Sequence, residues 1–150
     1  MVPLWAKVIA TYLFSGYLPK APGTWGTFLA LPLVWVLYKL GEPFYVVSLI
    51  LITFFGVLAS DIYSRLSGKK DPDEVVIDEV AGVLVLFLFV KPTFVNLILG
   101  AILFRFIDIL KPPPVNWFEK LGGGLGIMAD DLVAGLIAGI ILYSVQFLWT

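Results

Sequence analysis

Carboxylates stand in adjacent pairs at two places in this otherwise apolar chain. Asp78-Glu79 lies directly before one apolar run, and Asp130-Asp131 lies directly before another. One acid at the start of a helix is favoured by the helix dipole, but a pair exceeds what the dipole explains. Clustered carboxylates repel one another unless a cation lies among them. The two pairs therefore indicate a cation-binding site if the fold brings them together.

A third apolar run carries charges of both signs. Arg105 and Asp108 are three residues apart, so they share one face of a helix, and Lys111 follows one turn later. Arg105 lies within apolar sequence, where a charge is costly and usually functional. Asp108 nears the helix C-terminus, where the dipole disfavours an acid. We interpret Arg105 and Lys111 as a phosphate-binding pair, with a simple Arg105–Asp108 ion pair as the alternative.

The segment SGYLPKAPGTWGT, residues 15–27, leads into the first long apolar run. Backbone N–H groups at the start of a helix bind anions, and Lys20 and Thr24 would add a positive charge and a hydroxyl group. We therefore include Lys20 and Thr24 as candidate phosphate ligands. Ordinary helix initiation, with Thr24 or Thr27 as the N-cap, is the alternative.

The composition restricts the chemistry of any site. The 150 residues include no Cys and no His, which excludes thiolate and imidazole ligands and Cys or His catalysis. Oxygen ligands suit a hard ion, so we predict Mg²⁺, held by Asp78, Glu79, Asp130 and Asp131. The net charge of −1 provides no basic surface for nucleic acid.

The elements that must position these residues are apolar helices. Hydrophobic residues make up 60% of the chain and charged residues 14%, whereas a soluble domain carries about 25% charged residues. We predict one all-α domain, residues 1–150, that forms an integral membrane bundle of four to five hydrophobic helices. The predicted apolar segments are Phe28–Leu40, Phe44–Ser60, Val80–Val90, Phe94–Phe106 and Leu132–Trp149.

Three details refine this arrangement. The third apolar segment is too short to span a bilayer, so we expect it to start earlier, near Ile77, or to lie partly within the protein. The segments 61–79 and 108–131 are predicted as long polar loops, and Asp130-Asp131 as the start of the last helix. The N-terminal stretch MVPLWAKVIATYLF is predicted to be a retained amphipathic helix and not a signal peptide.

Charge asymmetry predicts the orientation of such a bundle. If the segments cross a membrane in turn, two basic residues, Lys39 and Lys91, lie on one side. The other side carries the remaining basic residues, Lys7, Lys20, Arg65, Lys69, Lys70, Arg105, Lys111 and Lys120. The second side is therefore predicted to be cytoplasmic. All acids except Glu42 also fall there, as expected for a site assembled on one membrane face.

In combination, four motifs resemble those of the phosphatidylglycerophosphatase A family. They are PGTWGT (22–27), VVIDEVAG (75–82), FRFIDILKPPPVNWFEK (104–120) and GGGLGIMADDLVAG (122–135). The resemblance implies Mg²⁺-dependent hydrolysis of phosphatidylglycerophosphate to phosphatidylglycerol at the bacterial cytoplasmic membrane. It also implies acidic site residues at Asp78, Glu79, Asp108, Asp130 and Asp131, with Arg105 and Lys111 as basic partners. The family includes soluble all-helical relatives, so the scaffold need not comprise five full spans.

The expected mechanism is metal-assisted hydrolysis. The acids would hold one or two Mg²⁺, Asp131 or Asp108 would act as general base, and Arg105 and Lys111 would clamp phosphate oxygens. A covalent aspartyl-phosphate intermediate is a variant of this mechanism. The alternatives from other classes are a small ion or proton transporter, with Arg105 and Asp108 on its path, and a non-catalytic membrane scaffold. Transfer of the phosphoryl or alcohol group instead of hydrolysis is a third alternative. The spaced DG…AR…G…D…D pattern of the CDP-alcohol phosphotransferases, which catalyse such a transfer, is absent from this sequence.

Overall fold

The computed structural model describes residues 1–149 of the chain. Within these residues there are seven α-helices and no β-strand, which confirms the predicted all-α class. Single 3₁₀ turns lie at Ser15–Tyr17 and Glu119–Leu121. The helices are α1 (Leu4–Ala10), α2 (Pro22–Leu40), α3 (Glu42–Ser67), α4 (Ile77–Leu86), α5 (Phe94–Leu110), α6 (Val115–Phe118) and α7 (Gly123–Trp149).

The short helix α4 forms the centre of the fold. Every residue from Ile77 to Leu84 is buried, and α4 packs against α7, α2 and α3. Glycine permits the closest of these contacts, because a Cβ atom on Gly135 of α7 would lie 2.0 Å from the carbonyl oxygen of Gly82. This close approach of two backbones places the acids of α4 beside those of α7.

The N-terminal helix is present, but it is not a simple amphipathic helix with a polar outer face. α1 buries Ala6 and Ala10 against the rest of the molecule. Its exposed residues include Leu4 and Trp5. The backbone N–H of Val76 donates to the carbonyl oxygen of Ala10 at 2.9 Å, so this arm is fixed to the connection that precedes α4.

The predicted start of the last helix is wrong. α7 begins at Gly123, so the glycine-rich stretch forms its first turn, and Asp130-Asp131 lies about two turns inside the helix. The cause is a long-range contact: Asp61 of α3 accepts a hydrogen bond from the backbone N–H of Gly124 at 3.0 Å through Oδ1. Helix dipoles and capping therefore do not explain Asp130 and Asp131.

The predicted polar loop 61–79 is also shorter than expected, because α3 continues to Ser67 and the connection comprises residues 68–76. By contrast, the predicted start of the third apolar segment near Ile77 is confirmed. Asp78 and Glu79 lie in the first turn of this helix, as predicted.

Two helices are long and apolar enough to cross a membrane, namely α3 and residues Gly123–Leu148 of α7. α4 has ten residues and extends about 15 Å, which is half of the roughly 30 Å hydrocarbon core. A bundle of four to five membrane-spanning helices is therefore not confirmed. α3 nevertheless exposes apolar side chains along its length, including Phe44, Ile50 and Phe54. Such a surface suggests association with a membrane.

Candidate active site

Three helices bring five carboxylates together. α4 provides Asp78 and Glu79, α5 provides Asp108 in its last turn, and α7 provides Asp130 and Asp131. Each of these residues is exposed by 8% or less, and Asp131 by 1%. Buried charges require partners, so the surroundings of these five carboxylates determine what the site can do.

Lys111 owes its position to the end of α5. Its backbone is left-handed, with φ 47°, and its N–H donates to the carbonyl oxygen of Ile107, which ends the helix before Pro112. The Lys111 Nζ then donates to Asp130 Oδ2 at 2.6 Å and to Asp108 Oδ1 at 3.4 Å. The lysine therefore links the acid of α5 to one acid of α7.

Arg105 lies on the other side of Asp108. Its guanidinium group donates a hydrogen bond to Asp108 and approaches Glu79 Oε1 at 3.8 Å. The start of α2 packs directly on this pair, since a Cβ atom on Gly23 would lie 2.8 Å from Glu79 Oε1 and 2.9 Å from Arg105 Nη1. Glycine at position 23 thus allows the α2 backbone to form one wall of the site.

A cavity of about 290 Å³ opens at this cluster. Its lining includes all seven charged residues that the sequence predicted from the four motifs, Asp78, Glu79, Arg105, Asp108, Lys111, Asp130 and Asp131. The α2 segment contributes Ala21, Pro22 and Gly23, whereas Lys20 and Thr24 are not among the lining residues. The structure therefore groups the two bases with the acids but does not bring Lys20 or Thr24 into the cavity.

Two lining residues, Asp71 and Asp73, were not predicted as site residues. Both belong to the connection that leads into α4. Their position a few residues before Asp78 could have indicated them, because the chain that leads to Asp78 must pass beside the cavity. Burial, followed by the neighbouring Asp78 charge, raises the pKa of the Asp71 carboxyl.

Burial and mutual repulsion dominate the electrostatics of the acids. Burial raises the pKa of Asp78. Burial, followed by the charge of Asp78, raises the pKa of Glu79 well above its ordinary value. Burial alone would lower the pKa of Lys111, but the hydrogen bond to Asp130 and the charge of Asp108 raise it. Lys111 is therefore held in its charged form by its two acidic neighbours, whereas burial and mutual repulsion disfavour the charged forms of Asp78 and Glu79.

Several carboxylate oxygens of the cluster are buried without a hydrogen-bond donor from the described residues. They are Asp78 Oδ1, Glu79 Oε2, Asp130 Oδ1 and both oxygens of Asp131. Such groups are expensive unless a proton or a cation joins them. Two sets of three acids each offer ligand atoms that lie within 4.8 Å of one another, Asp78–Asp130–Asp131 and Glu79–Asp108–Asp131. An oxygen-only donor set fits a hard divalent cation.

Comparison with known proteins agrees with this chemistry. The protein-family model of phosphatidylglycerophosphatase A matches residues 8–146. A phosphatidylglycerophosphatase A of Haemophilus influenzae is 35% identical over 143 residues, which cover 93% of this chain and 88% of the relative. A phosphatidylglycerophosphatase A of Escherichia coli is 33% identical over 145 residues, covering 95% of this chain and 84% of the relative.

A third relative carries a different name. It is a putative phosphatidylinositol-3-phosphatase of Bacteroides thetaiotaomicron, 35% identical over 144 residues, which cover 90% of this chain and 89% of the relative. No solved protein structure matches the chain significantly. The family match over most of the chain, together with these relatives, shows that the chain belongs to the phosphatidylglycerophosphatase A family and is a phosphatase.

Proposed function

We propose that this protein is a Mg²⁺-dependent lipid phosphatase that hydrolyses phosphatidylglycerophosphate to phosphatidylglycerol and inorganic phosphate. The observation that carries the proposal is the convergence of five buried carboxylates with Arg105 and Lys111 at one cavity. Carboxylates hold a divalent cation, and the two bases bind phosphate oxygens. Membership of the phosphatidylglycerophosphatase A family supports the substrate.

The residues that would hold the cation are Asp78, Glu79, Asp130 and Asp131. Their unpartnered buried oxygens fit this role, and the chain offers no Cys or His ligand. A bound Mg²⁺ would supply Lewis-acid chemistry, polarising the phosphoryl group and favouring ionisation of water.

Arg105 and Lys111 bind and orient the phosphate. Each base already contacts two carboxylates, which fixes its position before substrate arrives. The Arg105 Nε is buried and has no hydrogen-bond partner among the described residues, so it remains available as a donor. Fixed positive charges of this kind stabilise the charge that develops on phosphoryl oxygens. Lys20 and Thr24 remain predicted phosphate ligands outside the cavity lining.

Proton transfer falls to a carboxylate. We assign the general base to Asp131 or Asp108, the predicted candidates, which accepts a proton from the attacking water and returns it to the leaving alcohol oxygen. Asp108 is held between Arg105 and Lys111. Asp131 has no such partner among the described residues, and both its oxygens are free of donors.

The proposal places the protein in the bacterial cytoplasmic membrane as a multi-pass protein with its site facing the cytoplasm. Two long apolar helices support insertion into a membrane. The excess of Lys and Arg in the connections near the site supports the orientation, because positive loops stay on the cytoplasmic side. A lipid substrate could then keep its acyl chains in the bilayer while its terminal phosphate reaches the cavity.

A substrate panel tests this function. The full-length protein in detergent, supplied with Mg²⁺, is expected to release phosphate from phosphatidylglycerophosphate faster than from phosphatidylinositol 3-phosphate. The second lipid is included because one relative of equal identity is named for it. A preference for the inositol lipid would overturn the proposed substrate but not the phosphatase assignment. A protein that releases phosphate from neither lipid would favour the transporter alternative.

A further inference from the structure

The five buried carboxylates form two overlapping groups and not one. Asp78, Asp130 and Asp131 make up the first group, and Glu79, Asp108 and Asp131 the second. In each group the three ligand atoms lie within 4.8 Å of one another. Asp131 is the one acid that belongs to both groups.

Asp131 is also the most deeply buried of the acids, at 1% exposure. Neither of its oxygens accepts a hydrogen bond from any donor in the described part of the chain. An uncompensated buried carboxylate strongly destabilises a fold. Two oxygens without donors, on a residue that belongs to both groups of acids, indicate compensating ions or shared protons.

Each of the two bases contacts two acids of the cluster. Arg105 contacts Glu79 and Asp108, and Lys111 contacts Asp108 and Asp130. Glu79 Oε2 and Asp130 Oδ1 remain without a donor even though the other oxygen of each acid has a basic partner. Beside the oxygens of Asp131, the first group therefore has two oxygens without a donor, on Asp78 and Asp130, and the second group has one, on Glu79.

The cavity contains more acids than bases. Five buried acids lie beside Arg105 and Lys111, and Asp71 and Asp73 line the same cavity. If these acids are ionised, one divalent cation leaves an excess of negative charge that repels a phosphate, and a second divalent cation reduces this excess.

We propose that this site holds two divalent cations and that Asp131 is a ligand to both. One position is formed by Asp78, Asp130 and Asp131, and the other by Glu79, Asp108 and Asp131. Paired divalent ions about 3.5–4 Å apart are a recurrent arrangement for phosphate chemistry. The inference rests on the proposed function for its phosphate ligand.

Mn²⁺ is a suitable probe, because it prefers the same oxygen ligands and its magnetic signal reports a neighbouring ion. The full-length protein in detergent is stripped with a chelator, and bound Mn²⁺ is then counted by equilibrium dialysis and examined by electron paramagnetic resonance. We expect two Mn²⁺ per chain with the spectrum of a magnetically coupled pair.

Variants of matched shape assign the two positions. Glu79→Gln and Asp130→Asn should each retain one Mn²⁺ with the spectrum of an isolated ion, because each removes a ligand from one group alone. Asp131→Asn should lose both. Glu42→Gln, at the start of α3 and outside the cluster, should bind two like the unaltered protein. Circular dichroism confirms that each variant is folded.

Three outcomes would overturn the inference. One Mn²⁺ per unaltered chain, or two retained by folded Asp131→Asn, would exclude the bridged pair. Failure of any Mn²⁺ to bind would show that shared protons hold the acids together. Phosphate release measured on the same samples separates the two proposals. An active protein with one bound ion refutes the pair alone, whereas two coupled ions without activity on either lipid refute the proposed function alone.

Discussion

Glu74 and Asp131 are carboxylates in two contrasting surroundings. Glu74 accepts a hydrogen bond from Tyr63 Oη at 2.9 Å through Oε2 and one from Lys69 Nζ at 3.4 Å through Oε1. Tyr63 in turn lies 2.8 Å from the hydroxyl of Tyr17. Every oxygen of Glu74 has a partner within the protein. Neither oxygen of Asp131 has one among the described residues, although Asp131 is far more deeply buried.

The pKa of Glu74 is lowered, whereas the pKa of Glu79, which lies in the same cluster as Asp131, is raised. Burial alone would raise the pKa of Glu74, but the Tyr63 hydrogen bond and the Lys69 charge lower it below its ordinary value. In the cluster around Asp131, burial and the charge of Asp78 raise the pKa of Glu79. Glu74 is thus an acid that joins segments of the fold, whereas the acids around Asp131 form a buried cluster that is compatible with a divalent cation.

Asp131→Asn should have the largest effect. Asparagine keeps the shape of the side chain but removes the negative charge that a cation requires. We expect Mg²⁺-dependent phosphate release to fall by at least about 10³-fold, while membrane insertion and the circular dichroism spectrum stay unchanged. A folded Asp131→Asn protein with near-normal turnover would contradict the role assigned to this residue.

Arg105→Gln should follow, with a loss of roughly 10²-fold to 10³-fold in kcat/KM. The substitution removes the charge that contacts Asp108 and Glu79 and that is proposed to bind phosphate. Arg105→Lys is the matched control, because it keeps the charge but not the planar fork, and it should retain intermediate activity. Equal activity of the glutamine and lysine variants would exclude a role for the positive charge.

Gly82→Ala should have a smaller effect on activity, because it acts on the site only through the packing of α4 against its neighbours. Its Cβ atom would lie 2.5 Å from the backbone oxygen of Asp131 and 2.5 Å from the ring of Phe104. We expect a loss of about 1–3 kcal/mol in unfolding free energy and a weaker apparent affinity for Mg²⁺, measured by thermal unfolding and by metal titration.

Gly139→Ala provides the control for this packing effect. It crowds Phe89 and the backbone of Leu86, farther along α7 from the acids. It should therefore destabilise the protein without changing the Mg²⁺ dependence of phosphate release. Equal shifts in Mg²⁺ dependence for Gly82→Ala and Gly139→Ala would show that crowding acts through stability alone.

Glu74→Gln should have the smallest effect on activity. It weakens the hydrogen bonds to Tyr63 and Lys69, so we expect a loss of about 1 kcal/mol in unfolding free energy and a rate of phosphate release within about twofold of normal. Thermal unfolding and the activity assay measure both. A large loss of activity with unchanged stability would place Glu74 in the catalytic machinery and remove the contrast with Asp131.

The sequence predicted those parts of the site that depend on local patterns. Asp78-Glu79 lies at a helix start, and Arg105 contacts Asp108 three residues later, as their spacing indicates. The start of α7 could not be predicted, because the N–H of Gly124 in its first turn donates to Asp61, which is 63 residues away in the chain. A carboxylate from another helix leaves no signal in the adjacent sequence.

The assembly of the site depends on contacts of the same non-local kind. The close contact between Gly135 of α7 and Gly82 of α4 joins residues that are far apart in the chain, so neither residue indicates the other in the sequence. Asp71 enters the cavity lining through the path of the connection before α4, and Lys20 stays out of it because the wall is built from the three residues that follow it. The pattern of polar residues in the sequence does not indicate the path of the chain at Asp71 or at Lys20.

The most direct test of the account is the metal dependence of the reaction itself. Phosphate release from phosphatidylglycerophosphate is measured with the full-length protein after removal of metal with a chelator, and again after Mg²⁺ is restored. We expect the chelated protein to be inactive and Mg²⁺ to restore activity without refolding. Undiminished phosphate release in the presence of the chelator would contradict the claim that the acidic cavity works by holding a divalent cation.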